Sequence, residues 1–424
     1  MERKAVMRES RTVEFKETVS DSFLKTVSAF ANYGGGTVLF GVADDGATVG
    51  VNDPVAVALQ VENKINDSVS PRPSFTLSVN EKTKVVSLSV DEGPHKPYLY
   101  RAKAYRRSDS ATVEVDHLEL RRLVLTGEHL TFEETAARRQ DLSFDLLGVW
   151  VKRIMGIRSI TQDTLKTLEL YSDAQGFNVA AELLADENGF PGIDGAVFGA
   201  SVSIIRDRKT FEHMSVLSQY ERAVDLFRTH CVYEKVDGFE RREVQVVPEE
   251  AFREAVANAL VHRLWDAPSH IRISFYPDRI EVVSPGGLPS GISEEEYLTD
   301  RVSVLRNPIL GNVFYRLGII ERFGTGVTRI REAYRESELK PSFKVSENSI
   351  TVVLPSVESG KALTDDERAV LAVMGASMMR SSSEIAEEAG MSKSKALRIV
   401  QRLLAEGRLE AVGEGRGRKY RLAR

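Results

Sequence analysis

The chain of 424 residues predicts an α+β protein of several domains, and three observations predict it. Residues 252–263 carry Glu254, Asn258 and His262 at four-residue spacing, so the three share one stripe of a helix otherwise clad by Val256, Ala259, Leu260 and Val261. Residues 9–51 alternate strand, apolar helix, glycine break and strand. Net charge is -5, yet residues 391–424 hold ten Lys or Arg against three Glu, which points to a nucleic-acid-binding tail on an acidic body. With 42% hydrophobic residues the chain can fill several cores, about three on length alone.

Composition also excludes classes. No run of about 18 apolar residues exists and Met-Glu-Arg-Lys opens no apolar stretch, so neither a membrane span nor a secretory signal is expected, and the location expected is the cytoplasm. A single cysteine, Cys231, forbids an internal disulfide or a thiolate cluster and is expected to be buried and inert. No Gly-x4-Gly-Lys-Ser/Thr loop is present, so a motor helicase is not expected.

The first domain expected is 1–127. Val13 and Phe15 alternate with Thr12, Glu14 and Lys16 as in a half-buried strand, which puts Glu14 and Lys16 on its polar face. Phe23, Val27 and Phe30 predict a helix over 22–31, which the run Asn32-Tyr33-Gly34-Gly35-Gly36 breaks before a strand over 37–42. Asp44-Asp45-Gly46 then turns the chain, and 49–51 is expected to return as a partner strand. A hairpin over 75–79 and 85–90 follows. Lys96, Arg101, Lys103, Arg106 and Arg107 mingle with Tyr98, Tyr100 and Tyr105, which suits either single-stranded or looped nucleic acid or a solvated strand face. Glu-x4-Glu-Phe-Lys, Ala-Phe-Ala-Asn-x-Gly-Gly-Gly and Gly-Val-x-Asp together resemble the AlbA-like α/β domain shared with the Schlafen proteins. That resemblance implies binding of RNA or single-stranded nucleic acid. It also places Glu9, Glu14 and Asp44 where Schlafens hold a ribonuclease site, and three such carboxylates would bind divalent cations for phosphodiester hydrolysis. The alternative is that Glu14 pairs with Lys16 or Lys25 and Asp44 only makes the turn.

Residues 128–249 read as a connecting α/β scaffold without motifs, with helices over 142–154, 162–171, 178–184 and 219–228 and a strand over 196–205. Residues 250–356 carry the polar-striped helix, a hairpin over 270–276 and 280–283 that runs into Ser284-Pro285-Gly286-Gly287, then Phe323-Gly324-Thr325-Gly326 opening a helix over 327–335, and a closing hairpin over 343–345 and 350–354. Free amides at a helix start approached through glycine suit a phosphate. This order resembles the GHKL ATPases, an α/β sandwich, and more closely the divergent form in bacterial transcriptional regulators labelled RecG-related. The resemblance implies ATP and Mg as cofactors, with Glu254 as the water-activating carboxylate and Asn258 as the magnesium ligand. It places Gly286, Gly287, Gly324, Thr325 and Gly326 in the glycine boxes and His262 on the same stripe. Ser284 stands where the family's aspartate accepts the adenine amino group, and a neutral bond there is roughly half as strong as a charge-assisted one.

Residues 362–424 read as three helices and a hairpin. Ser381 and Glu384 form a capping box for the second helix, and Ser392 caps the third. In the third, Ala396, Leu397, Val400, Leu403 and Leu404 make the expected buried stripe, leaving Lys395, Arg398 and Arg402 open beside Lys393. Arg416, Arg418 and Lys419 sit at the hairpin tip. This resembles a winged helix, which implies double-stranded DNA as partner, read by the third helix in the major groove with the wing on the backbone. The whole reads as a DNA-binding transcriptional regulator modulated by nucleotide and, from half-site geometry, a homo-oligomer. The alternatives are a metal-dependent nuclease using the acidic cluster and a non-catalytic scaffold.

Overall fold

The computed structural model describes residues 8–199, 201–237, 240–289, 292–299, 304–321, 324–357, 365–374, 379–405, 409–413 and 418–422. They form a mixed α/β molecule with several sheets. None of its described helices is long and apolar enough to cross a membrane.

In the N-terminal unit Val13–Lys16 runs parallel to Gly36–Phe40, with Val85–Val90 and then Phe75–Asn80 added antiparallel. Helix Phe23–Asn32 buries Phe23, Val27 and Phe30 against Val38, Phe40, Val86 and Leu88, each worth roughly 1.5–3 kcal/mol of removed apolar surface. One expectation is corrected and one unforeseen helix is added. Residues 49–51 are not a strand: Val49 is 63% exposed, and the Val49 and Gly50 amides both donate to the Gly41 carbonyl in a tight loop. Behind that loop lies helix Pro54–Ser68, which periodicity did not reveal because only Val61 and Ile65 are buried. Its start was written in Asp53-Pro54, where the Asp53 carboxylate accepts from the Val55 and Ala56 amides. Hairpin Tyr105–Ser108 and Ala111–Glu114 and helix His117–Gly127 complete the unit.

The second sheet has six strands in the order Ile205–Phe211, Ile193–Phe198, Ile271–Phe275, Arg279–Pro285, Ser349–Pro355 and Ser342–Val345. Only the Ile193–Phe198 to Ile271–Phe275 pairing is parallel. Helices Val216–Cys231 and Glu249–His262 pack against it, with Phe227 stacked on Phe252 at 4.5 Å and Phe252 against Phe275 at 5.8 Å. The strand expected over 196–205 instead takes in only the end of Ile193–Phe198 and the first residue of its antiparallel neighbour Ile205–Phe211, and the division expected at 249 falls inside one hydrophobic core reaching from Leu147 to Leu354. Parallel pairing across more than seventy positions leaves no local signal.

Helices Asp365–Ala372, Ser382–Glu388 and Lys393–Ala405 and hairpin Leu409–Val412 with Lys419–Leu422 enclose a third core. Here the buried stripe is Ala396, Ile399, Val400 and Leu403, whereas Leu397 is 37% exposed, so the helix is turned from the orientation expected.

Candidate nucleotide site

Glu249–His262 forms a helix because apolar residues cover it on nearly every side, and it is buried between the sheet and its neighbours. Burial leaves its polar stripe facing one cleft, lined by Asn258, His262, Ser284, Gly287, Gly324 and Gly326 over an apolar floor that includes Val282, Val327, Ile350 and Val352. The space amounts to about 860 Å³ with its open mouth included. Of the remaining expected residues, Glu254 stands at the margin and is 7% exposed. Thr325 is the residue before helix Gly326–Ala333, and Gly286 turns the chain behind the cleft at φ 103°.

Asn258 Nδ2 donates to Glu254 Oε1 at 3.1 Å, which leaves the Asn258 carbonyl oxygen free to ligate. A Cβ on Gly326 would lie 2.4 Å from Asn258 Nδ2 and 3.1 Å from Glu254 Oε1, so only glycine lets that helix start approach the pair. Ser284 Oγ donates to the Ala259 carbonyl at 3.1 Å and keeps its lone pairs for an incoming donor.

Burial raises the Glu254 carboxyl above the ordinary carboxylate range, opposed by the Arg329 cation and the Asn258 hydrogen bond. Burial pushes the His262 imidazole down to about 4, with the Arg306 charge acting the same way, so His262 is neutral at pH 7. Arg329 escaped the sequence reading. Its Nη1 lies 3.6 Å from Glu254 Oε2, three positions after Gly326 and hence on the same helix face, a spacing that could have found it. Asn307 escaped as well; its amide donates to the Val261 and Arg263 carbonyls at 2.6 and 2.9 Å and closes the C-terminus of the polar-striped helix.

The N-terminal acidic residues are disposed otherwise. Glu14 is buried in an ion pair with Arg107, and Lys16 Nζ lies 2.7 Å away. Glu9 accepts from the Phe15 amide at 2.8 Å, and Asp44 lies in the exposed turn. No group of three metal-ligating side chains occurs among the described residues, so the expected three-carboxylate cluster is not assembled. Tyr98, Tyr100 and Tyr105 are 2%, 3% and 7% exposed and belong to the core, so they are no stacking platform. Lys96 pairs with Glu92, Lys103 with Glu114, and Arg106 with Glu119.

In the C-terminal unit Lys395 pairs with Asp366 at 2.7 Å and Arg402 with the buried Glu367 at 3.1 Å, so these two lean on the first helix instead of standing open with Arg398. Ser392 Oγ accepts from the Lys395 amide as expected. Lys393, Arg398, Arg418 and Lys419 are exposed, and Arg416 lies outside the described residues.

Residues 9–116 match the family described as "Schlafen, AlbA_2", and residues 268–354 match that described as "Putative ATP-dependent DNA helicase recG C-terminal". No curated protein matches the chain. Among solved structures, the DIP2311 protein of Corynebacterium diphtheriae is similar at 18% identity over 97% of this chain and 92% of that one, with a TM-score of 0.49. The N-terminal domain of a RecG-related protein of Nitrosomonas europaea is similar at 28% identity over 26% of this chain and 88% of that one, with a TM-score of 0.20.

Proposed function

We propose, from a Schlafen-type AlbA domain and a RecG-like ATPase-like domain on one chain, a nucleic-acid-associated protein, and more finely a DNA-binding transcriptional regulator whose DNA binding responds to ATP and Mg. The observation that carries this reading is the Glu254–Asn258–Gly326 contact, where a helix start meets an amide and a buried carboxylate at distances only glycine permits. The residues present fit such a ligand. Gly324 and Gly326 present backbone to phosphates, the floor around Val282 and Val352 takes a base, and the Ser284 lone pairs accept its amino group. The Asn258 carbonyl oxygen would hold a magnesium ion, which would supply charge neutralisation for the phosphates. Glu254, made more basic by burial, takes a proton from water, and Arg329 holds that carboxylate in place.

Three units follow from this reading: residues 1–127 for nucleic acid, 128–356 as one ATPase-like body built on the six-stranded sheet, and 362–424 as a winged helix on duplex DNA. Arg398, Lys393, Arg418 and Lys419 make its first contacts, while Lys395 and Arg402 exchange their carboxylates for phosphates. Two such units on two half-sites call for a homo-oligomer.

The test has two arms. Deleting residues 362–424 abolishes duplex binding in a salt-dependent assay, and undiminished binding by the shortened chain overturns the DNA reading. Calorimetry with ATP and magnesium gives saturable binding that Asn258→Ala weakens, and no binding by the wild type at millimolar nucleotide overturns the cofactor.

A further inference from the structure

A second and larger cleft lies between the N-terminal unit and the six-stranded body, about 2150 Å³ with its open mouth included. Six cations and four carboxylates line it. The excess becomes specific once the pairs are followed. Arg122 of helix His117–Gly127 grips Asp266 through two bonds of 2.6 and 2.9 Å and so uses that carboxylate fully. Glu347 is shared between Arg11 at 3.5 Å and Arg106 at 3.3 Å. Arg306 is left over. Its Nη2 donates to the Gly287 carbonyl at 2.7 Å, its Nε is buried without a partner, and it meets no carboxylate among the described residues. Burial and the nearby Arg122 charge both work against its protonated form, with Asp266 opposing only in part. An enclosed guanidinium without a counter-charge is costly. Nearby, Leu123, Leu264, Leu288, Pro289 and Trp265 give the same cleft an apolar and aromatic wall.

We infer that this cleft binds a phosphate-bearing ligand, with Arg306 as its principal cation, Arg106 and Arg122 at its sides, and the apolar wall taking the organic part. An oxyanion supplies the acceptor that Arg306 lacks, and planar bidentate contact with phosphate is what a guanidinium does better than an ammonium. Glu347 holds two arginines only loosely, so a phosphate between Arg11 and Arg106 replaces a shared, half-exposed pair at little cost. The two clefts meet along Gly287, Leu288 and Pro289, which border both, and Arg306 holds the Gly287 carbonyl, but Arg306, Arg106 and Arg122 line this cleft alone. Two sources offer the same chemistry, a free nucleotide or the backbone of a nucleic-acid strand crossing the cleft.

The chain of 424 residues is titrated with pyrophosphate and, separately, with a 5′-phosphorylated trinucleotide, following calorimetric heat and the fluorescence of Trp265, one of only two tryptophans in that chain. Saturable binding is expected in the wild type and in Asn258→Ala. Arg306→Gln and Arg106→Gln should each weaken it about tenfold or more, with Arg306→Lys recovering part of the loss. Tighter binding of the trinucleotide assigns the cleft to a strand, and equal binding assigns it to free phosphates; both support the site. Three results overturn it: no saturable binding by the wild type, loss of binding in Asn258→Ala, or full binding by a folded Arg306→Gln variant. Because Asn258 lines the nucleotide cleft and not this one, failure of that reading and failure of this one are told apart.

Discussion

Glu14 and Glu254 are both 7% exposed, and they lead opposite lives. Glu14 lies on a strand whose neighbours bring Arg107 into direct contact and Lys16 to 2.7 Å, and the same Arg107 also donates to Thr112 and to the Ser10 carbonyl. Glu254 lies on a helix whose nearest partner is a neutral amide, with its cation no closer than 3.6 Å and a cleft beside it. Equal burial is therefore no guide to role. A fully paired carboxylate is a structural tie, whereas one that burial disfavours and partners only half restore retains proton affinity and is available for chemistry.

The sharpest way to break this contrast is Arg107→Ala. It leaves the buried Glu14 carboxylate with Lys16 as its remaining cation and should cost up to about 3–5 kcal/mol in denaturant unfolding; a loss below about 1 kcal/mol would show the pair to be a solvated surface contact. Next in size is Gly326→Ala, whose added methyl must displace Asn258 and should lower magnesium-ATP affinity by about 1–3 kcal/mol while the N-terminal unit unfolds as before. Unchanged affinity would remove Gly326 from the site.

Titration probes the same contrast. The native Glu254 carboxyl is raised above its unfolded value of 4.5, so the native state binds the proton more readily. Stability from this group is full below 4.5 and is lost as pH rises through the native value, at no more than about 1.4 kcal/mol per pH unit. Glu254→Gln should flatten that fall in unfolding curves taken from pH 4 upward, and an identical slope in both proteins would deny Glu254 its raised proton affinity. The smallest effect is Ser284→Asp. It removes the donor to the Ala259 carbonyl, at about 1 kcal/mol of stability, and replaces a neutral acceptor by a charged one, for a similar gain in ATP affinity. Loss of stability with no gain in affinity on calorimetry would take Ser284 out of the adenine slot.

Much of the site was legible because its signals are local. Four-residue spacing on one helix, a hairpin feeding a glycine loop and a second glycine pair opening a helix are patterns of neighbours along the chain, and Asn258, Ser284 and Gly326 indeed meet at one cleft. Arg329 was within reach of the same rule of helical faces. Asp53-Pro54 likewise marked a helix start that sparse burial then hid.

The sequence by itself determined the helices, hairpins and turns whose periods and caps lie within a few residues, and with them the Glu254–Asn258 pair. Tertiary structure alone decided what each charge faces: Arg107 crossing from a hairpin to seal Glu14, Asp366 and Glu367 drawing Lys395 and Arg402 from the open side, and Ile193–Phe198 joining a sheet whose next strand begins at Ile271. The physical reason is range. Hydrogen-bonded turns and helical faces are set by contacts three or four residues apart, whereas the energy of a buried charge depends on whichever partner folding brings alongside, and no spacing in the chain encodes that partner.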